Sequence, residues 1–140
     1  MGEIDKTKRN ARPEFRNITL PEIVRYRMPP PALVSILHRI SGILLFLVGI
    51  PFVLYLFQNS LTSELSFQAY RAAVSSWLGK LVLLVLIWAF VHHLLAGIRF
   101  LTLDLHLAGE REQGALTARI VLGLSVFVRL VCALLLFGLI

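Results

Sequence analysis

Three stretches of the chain are almost free of charge, and the polar residues crowd into the segments between them. No charged residue occurs from Ile40 to Ser63. None occurs from Leu81 to Ile98, although His92 and His93 interrupt that run, and Arg129 is the sole charge from Ile120 to Ile140. At about 1.5 Å of rise per residue, each run makes a helix that can cross about 30 Å of hydrocarbon. With allowance for helix ends, the pattern predicts spans near 33–57, 78–103 and 116–139. Pro51 falls inside the first, where a membrane helix tolerates it better than a soluble one.

Composition supports this pattern. Of the 140 residues 57% are hydrophobic and 16% charged, against about 45–50% and about 25% in soluble domains. A soluble domain this small cannot bury so much apolar surface. Disordered chains are poor in aliphatic residues and rich in charge, so that class is excluded too. The expected fold class is an all-α membrane protein of three transmembrane helices. The single cysteine, Cys132, excludes a disulfide framework and a cysteine-built metal site.

Residues 1–32 read as a separate tail, and residues 33–140 as the three-helix transmembrane domain. The tail holds seven Lys or Arg and four acids, and it ends in Pro29-Pro30-Pro31, which mark an abrupt helix start at the membrane face. It is no signal peptide, because 32 polar or mixed residues precede any apolar core. Glu3, Asp5, Glu14 and Glu22 argue equally against a transit peptide. Orientation follows from the basic residues near the span ends. Lys6, Lys8, Arg9, Arg12, Arg16, Arg25, Arg27, Arg99, Arg111 and Arg119 stand on one side, and Arg71 and Lys80 on the other. Ten against two places the N-terminus and the 104–115 loop inside, and the 58–77 loop and the C-terminus outside. The net charge of +6 is thus a topology signal, not a nucleic-acid footprint.

Polar side chains within the apolar runs are the candidates for function. Ser35 and Arg39 share a helix face a turn or so below the inner surface, continued by Gly42, Phe46 and Gly49. A hydroxyl and a guanidinium there suit a carbonyl or carboxylate oxygen; the plainer reading is a helix cap and a snorkelling arginine. His92 and His93 lie deep in the second span. Imidazole is the usual axial ligand to haem iron in a helical bundle, and a packed core histidine is the alternative. His93 has Ala89, Ala96 and Gly97 on its face, small residues that leave room for a flat macrocycle, while His92 points about 100° away beside Trp88; spacing does not choose between them. Arg99 and Asp104, at the inner end of the same span, read as a solvated pair. Arg129 is a charge near mid-span with no acid at matching depth in the chain, and it stays unassigned.

Two of these strings resemble a known family. Ser35-Ile36-Leu37-His38-Arg39-Ile40-Ser41-Gly42 resembles the first-span signature of the cytochrome b subunit of succinate dehydrogenase, respiratory complex II. His93-Leu94-Leu95-Ala96-Gly97-Ile98-Arg99, with Asp104 five residues later, resembles its second signature. Two motifs in the expected order on the expected spans make the resemblance specific over about residues 30–110.

The resemblance implies half of a two-subunit haem-binding helical bundle in a bacterial inner membrane. A second small membrane subunit completes the bundle, and an iron–sulfur protein and a flavoprotein dock on the inner side. It implies haem b with His93 as one axial ligand, His38 and Arg39 near the propionates, and Ser35, Arg39 and, more weakly, Asp104 at a ubiquinone site. The implied function is electron transfer from succinate oxidation to ubiquinone, with no complete active site in this chain alone. A haem anchor of a fumarate reductase, or a non-redox scaffold, are the competing readings. One departure stands out: Phe100 replaces a histidine that many bacterial members carry one residue after the arginine.

Overall fold

A computed structural model describes residues 19–25, 28–105 and 111–138. The expectations for residues 1–18, Arg27, the 106–110 segment and the last two residues lie outside that set. Six α-helices run α1 Leu20–Arg25, α2 Pro30–Leu44, α3 Ile50–Thr62, α4 Glu64–Ser75, α5 Trp77–Asp104 and α6 Arg111–Leu136. A π-helical turn, Leu45–Gly49, joins α2 to α3 without a break. Among the described residues there is no strand. Three helical stretches are long and apolar enough to span a membrane: Pro30–Thr62, Trp77–Asp104 and Glu112–Leu136.

Prolines and serines set most of the boundaries. Pro29 is extended and α2 starts with Pro30 and Pro31 in its first turn, where a missing N–H costs nothing. Pro51 cannot donate to a carbonyl four residues earlier, and the wide turn immediately before it lets the helix pass that gap. The segment 58–77, read from sequence as a loop, is mostly helical. The first-span helix runs on to Thr62, stops at the extended Ser63, and restarts as α4. Ser63 and Ser66 form a capping box: Ser66 N–H donates to Ser63 Oγ at 3.2 Å and Ser63 N–H to Ser66 Oγ at 2.9 Å. Ser76 repeats the cap for α5, its hydroxyl accepting from Gly79 N–H at 3.0 Å. At α1, Thr19 donates its N–H (2.8 Å) and hydroxyl (2.9 Å) to Glu22. Both bonds hold that exposed carboxyl below its usual range.

α2, α5 and α6 pack on one another as the core of the bundle. Val34, Ala96, Ala118 and Val121 fill its centre, with Leu95, Phe100 and Leu122 against them. Ala89, Ala96 and Ala118, with Ser41 and Ser125, are buried small residues that allow the close approach membrane helices need. α5 and α6 run antiparallel, with Trp77 on Phe137 at one end, His92 on Ser125 midway and Arg99 on Gly114 at the other end. Beyond the π turn, α3 packs on α4 rather than on α5. An apolar groove of about 520 Å³ opens there, lined by Gly49, Phe52, Leu83, Leu86 and Phe90 among others.

Candidate functional site

The two histidines predicted side by side on α5 occupy different environments. His92 is fully buried. Its Nδ1 lies 3.3 Å from Ser125 Oγ, its ring stacks on Trp88 at 5.6 Å between centroids, and its Nε2 is enclosed with no hydrogen-bond partner. Ser125 already donates its hydroxyl to the Leu122 carbonyl at 3.0 Å. It can therefore accept from His92 and tie α5 to α6. No route leads from this imidazole to a planar ligand without opening the bundle.

His93, one position on, is only partly buried and faces α2. Its Nδ1 lies 3.0 Å from the backbone carbonyl of His38 and 3.3 Å from Ser41 Oγ. A carbonyl can only accept, so Nδ1 carries the proton and Nε2 keeps its lone pair. That tautomer, anchored at Nδ1 by a carbonyl, is the one used by histidines that ligate metal through Nε2. Among the described residues nothing hydrogen-bonds to Nε2. The ring of His38 stacks on that of His93 at 4.1 Å and 11°. His93 lies eleven residues from the end of α5, so roughly 16 Å deep by the helical rise.

The small residues near His93 act differently from the expectation. Ala89 and Ala96 are fully buried and let α5 approach its neighbours; they do not leave space for a macrocycle. On α2, Gly42 makes room for the His93 ring itself: a Cβ there would stand 2.8 Å from His93 Cε1. Phe100 packs edge-on against His38, with centroids 5.2 Å apart at 61°, and under the Arg99 guanidinium at 5.6 Å. At this position the aromatic ring buttresses His38.

On α2, Ser35 is half-buried and Arg39 exposed. Among the described residues neither side chain has a hydrogen-bond partner within the chain, which leaves both sets of donors available to something outside it. Along the face that they share, Phe46 is 69% exposed and Gly49 is buried. Asp104 is exposed at the end of α5. The antiparallel register of α2 and α5 places it about one or two turns beyond Ser35, toward the end of the bundle where α2 begins.

Arg99 corrects the solvated pair expected with Asp104. It is 6% exposed and points across the bundle, Nε donating to Thr117 Oγ1 at 3.1 Å and Nη2 to the Gly114 carbonyl at 2.9 Å. Helix-to-helix bonds at this depth replace the solvation a guanidinium loses on burial, and an acid at the exposed helix end cannot compete. Arg129 is exposed on α6, whose only acid is Glu112, five turns away. Ser41, Ser125 and Thr117 are participants that motif reading passed over, whereas the sequence pattern places Gly42 on the Ser35–Arg39 face. Ser41 lies inside the first signature string, three residues after His38, so helical spacing alone could have marked it.

Comparison with known proteins identifies the family. Residues 8–132 match the family described as succinate dehydrogenase/fumarate reductase transmembrane subunit. The succinate dehydrogenase cytochrome b556 subunit of Coxiella burnetii is 34% identical over 114 residues, 80% of this chain and 89% of that protein. The subunit of the same name from Paracoccus denitrificans is 38% identical over 93 residues, 66% of this chain and 71% of that protein. With helices that can span a membrane, paired histidine-bearing signatures and this match over most of its length, the chain belongs to the succinate dehydrogenase/fumarate reductase transmembrane subunit family.

Proposed function

We propose that the chain is the haem b-bearing membrane anchor of a succinate:ubiquinone oxidoreductase, and that His93 Nε2 supplies one axial bond to the haem iron. The observation that carries this reading is the hydrogen bond from His93 Nδ1–H to the His38 carbonyl, 3.0 Å long, which fixes the ligating tautomer. The donor set fits the group: an imidazole whose Nε2 has no hydrogen-bond partner among the described residues, held at Nδ1 by the His38 carbonyl and seated against Gly42 of α2. A second small membrane subunit would complete the bundle over the face that His93 leaves partly open and would supply the other ligand to the iron. When bound, the haem supplies a one-electron redox centre within the membrane.

The chain's own residues bind, orient and insulate. His38 stacks on the ligand ring and, with Arg39, offers positive or donor groups toward propionates. Ser35 and Arg39 donate to a ubiquinone carbonyl at the inner side; a guanidinium in a low-dielectric setting stabilises negative charge that develops on that oxygen. Asp104 stands nearer the inner surface, in line with a role in proton supply more than in quinone contact. The N-terminus and the 104–115 loop face inside, where the iron–sulfur and flavoprotein subunits dock, and the C-terminus faces outside. Both named relatives are succinate dehydrogenase subunits, which favours succinate oxidation over fumarate reduction.

Purification of the tagged chain from its own membrane tests this reading. It should bring down a flavoprotein and an iron–sulfur protein, show reduced b-type absorption bands, and reduce ubiquinone with succinate. A chain that purifies without haem and without these subunits would contradict it.

A further inference from the structure

The hydrogen bonds around His93 form a closed triangle. Ser41 donates its hydroxyl to the His38 carbonyl at 2.9 Å. The same carbonyl takes the proton of His93 Nδ1 at 3.0 Å, and Ser41 Oγ lies 3.3 Å from that nitrogen as a second acceptor. Ser41 is fully buried and its own hydroxyl is satisfied by the His38 carbonyl alone. Its placement against the imidazole is therefore additional to what its burial requires. At Gly42 the nearest atoms to a notional Cβ are all from one imidazole: His93 Cε1 at 2.8 Å, Nδ1 at 3.3 Å and Nε2 at 3.8 Å. Where a glycine only lets two helices cross closely, the facing backbone would be the nearest group. Here the vacated volume is filled by the ring itself.

We propose that Ser41 and Gly42 are positioning residues for the haem ligand: the Ser41 hydroxyl and the His38 carbonyl fix the tautomer of His93, and the missing Cβ of Gly42 fixes the plane of its ring. The proposal rests on His93 being that ligand. The stacked His38 ring covers one face of the imidazole, the triangle pins Nδ1, and Gly42 sets the edge at Cε1. With these three constraints the ring has one orientation left, and Nε2 points where it dictates. Groups behind a metal ligand orient it and set its basicity, and their loss typically costs about 10–100-fold in affinity.

The test uses the assembled complex and reads haem retention and the low-spin electron paramagnetic resonance spectrum, whose low-field g-value depends on the orientation of the axial imidazole planes. Gly42→Ala should raise the rate of haem transfer to an apo-globin acceptor by about 10–100-fold and move the low-field g-value. Ser41→Ala should move the same g-value with a smaller rise in haem loss, and Ser41→Thr, which keeps the hydroxyl, should restore both. Ser41→Ala adds no atom, so it decides alone where Gly42→Ala does not assemble. Wild-type g-value and haem retention in Ser41→Ala and Gly42→Ala, in a protein whose His93→Ala variant loses the b-type bands, would overturn the positioning role and leave the ligand in place. Retention of those bands in His93→Ala would remove the ligand assignment and the positioning role together.

Discussion

The Arg99 bridge between α5 and α6 makes a quantitative prediction about how the bundle holds together. Two bonds leave one buried guanidinium, Nε to Thr117 Oγ1 at 3.1 Å and Nη2 to the Gly114 carbonyl at 2.9 Å. Hydrogen bonds between membrane helices contribute about 0.6 kcal/mol on average and up to roughly 1.7 each, so Arg99→Met should destabilise the bundle by about 1–3 kcal/mol. Thr117→Val removes only the Nε partner, because the Gly114 carbonyl remains available to Nη2. Its cost should be about half as large. The pair forms a thermodynamic cycle: in Arg99→Met/Thr117→Val the two losses should fail to add, with a coupling of about 0.6–1.7 kcal/mol. Steric trapping of labels on α5 and α6 in bicelles reads these free energies without denaturing the lipid phase. Strict additivity of the two substitutions would show that Arg99 and Thr117 are not joined.

Further expectations concern the quinone, the topology and the tail. Arg39→Leu should lower quinone reduction about ten- to a hundredfold, the worth of roughly 1.5–3 kcal/mol for a charge-assisted bond. Succinate oxidation with an artificial acceptor should survive, and Ser35→Ala should act the same way more weakly; unaltered quinone reduction in an assembled Arg39→Leu complex would make Arg39 an interfacial anchor only. In a cysteine-free background, Ser66→Cys should label from outside intact cells and Gln113→Cys should not; the reverse pattern would invert the orientation. Glu22 should titrate below the ordinary carboxylate range by carbon-13 NMR, since Thr19 donates to it twice. A depressed folded value means the α1 cap is present at neutral pH and is lost as pH falls through that value. Thr19→Val removes the hydroxyl bond and keeps the larger N–H contribution, so it should raise the Glu22 value only part of the way back, and an unmoved titration would refute the hydroxyl bond.

Long uncharged runs made the three spans legible, because length and apolarity are what a bilayer demands of a helix. The break between Thr62 and Glu64 was not legible as such. Ser63-x-x-Ser66 lacks the Glu or Gln of the usual capping box, and a polar segment between two spans reads as loop until its caps are seen. The π turn at Leu45–Gly49 also escaped the pattern, because an apolar run looks the same in sequence whether its turns are regular or wide. At the site, residue types pointed to α2 and to the paired histidines, yet adjacent histidines on one helix look alike in sequence. What separates them is tertiary: Ser125 and Trp88 enclose His92, whereas a backbone carbonyl from α2 holds His93. Arg99 was misjudged for the same reason, since its partners Gly114 and Thr117 come from another helix.

The central claim is that His93, and not His92, binds the haem iron. The most direct measurement is the dithionite-reduced minus oxidised spectrum of the purified complex in the two single variants. His93→Ala should lose the low-spin b-type bands. His92→Ala should keep them, at the cost of a less stable bundle, because it removes a packed ring and its bond to Ser125. Bands that persist in His93→Ala, or that vanish only in His92→Ala, would contradict the account.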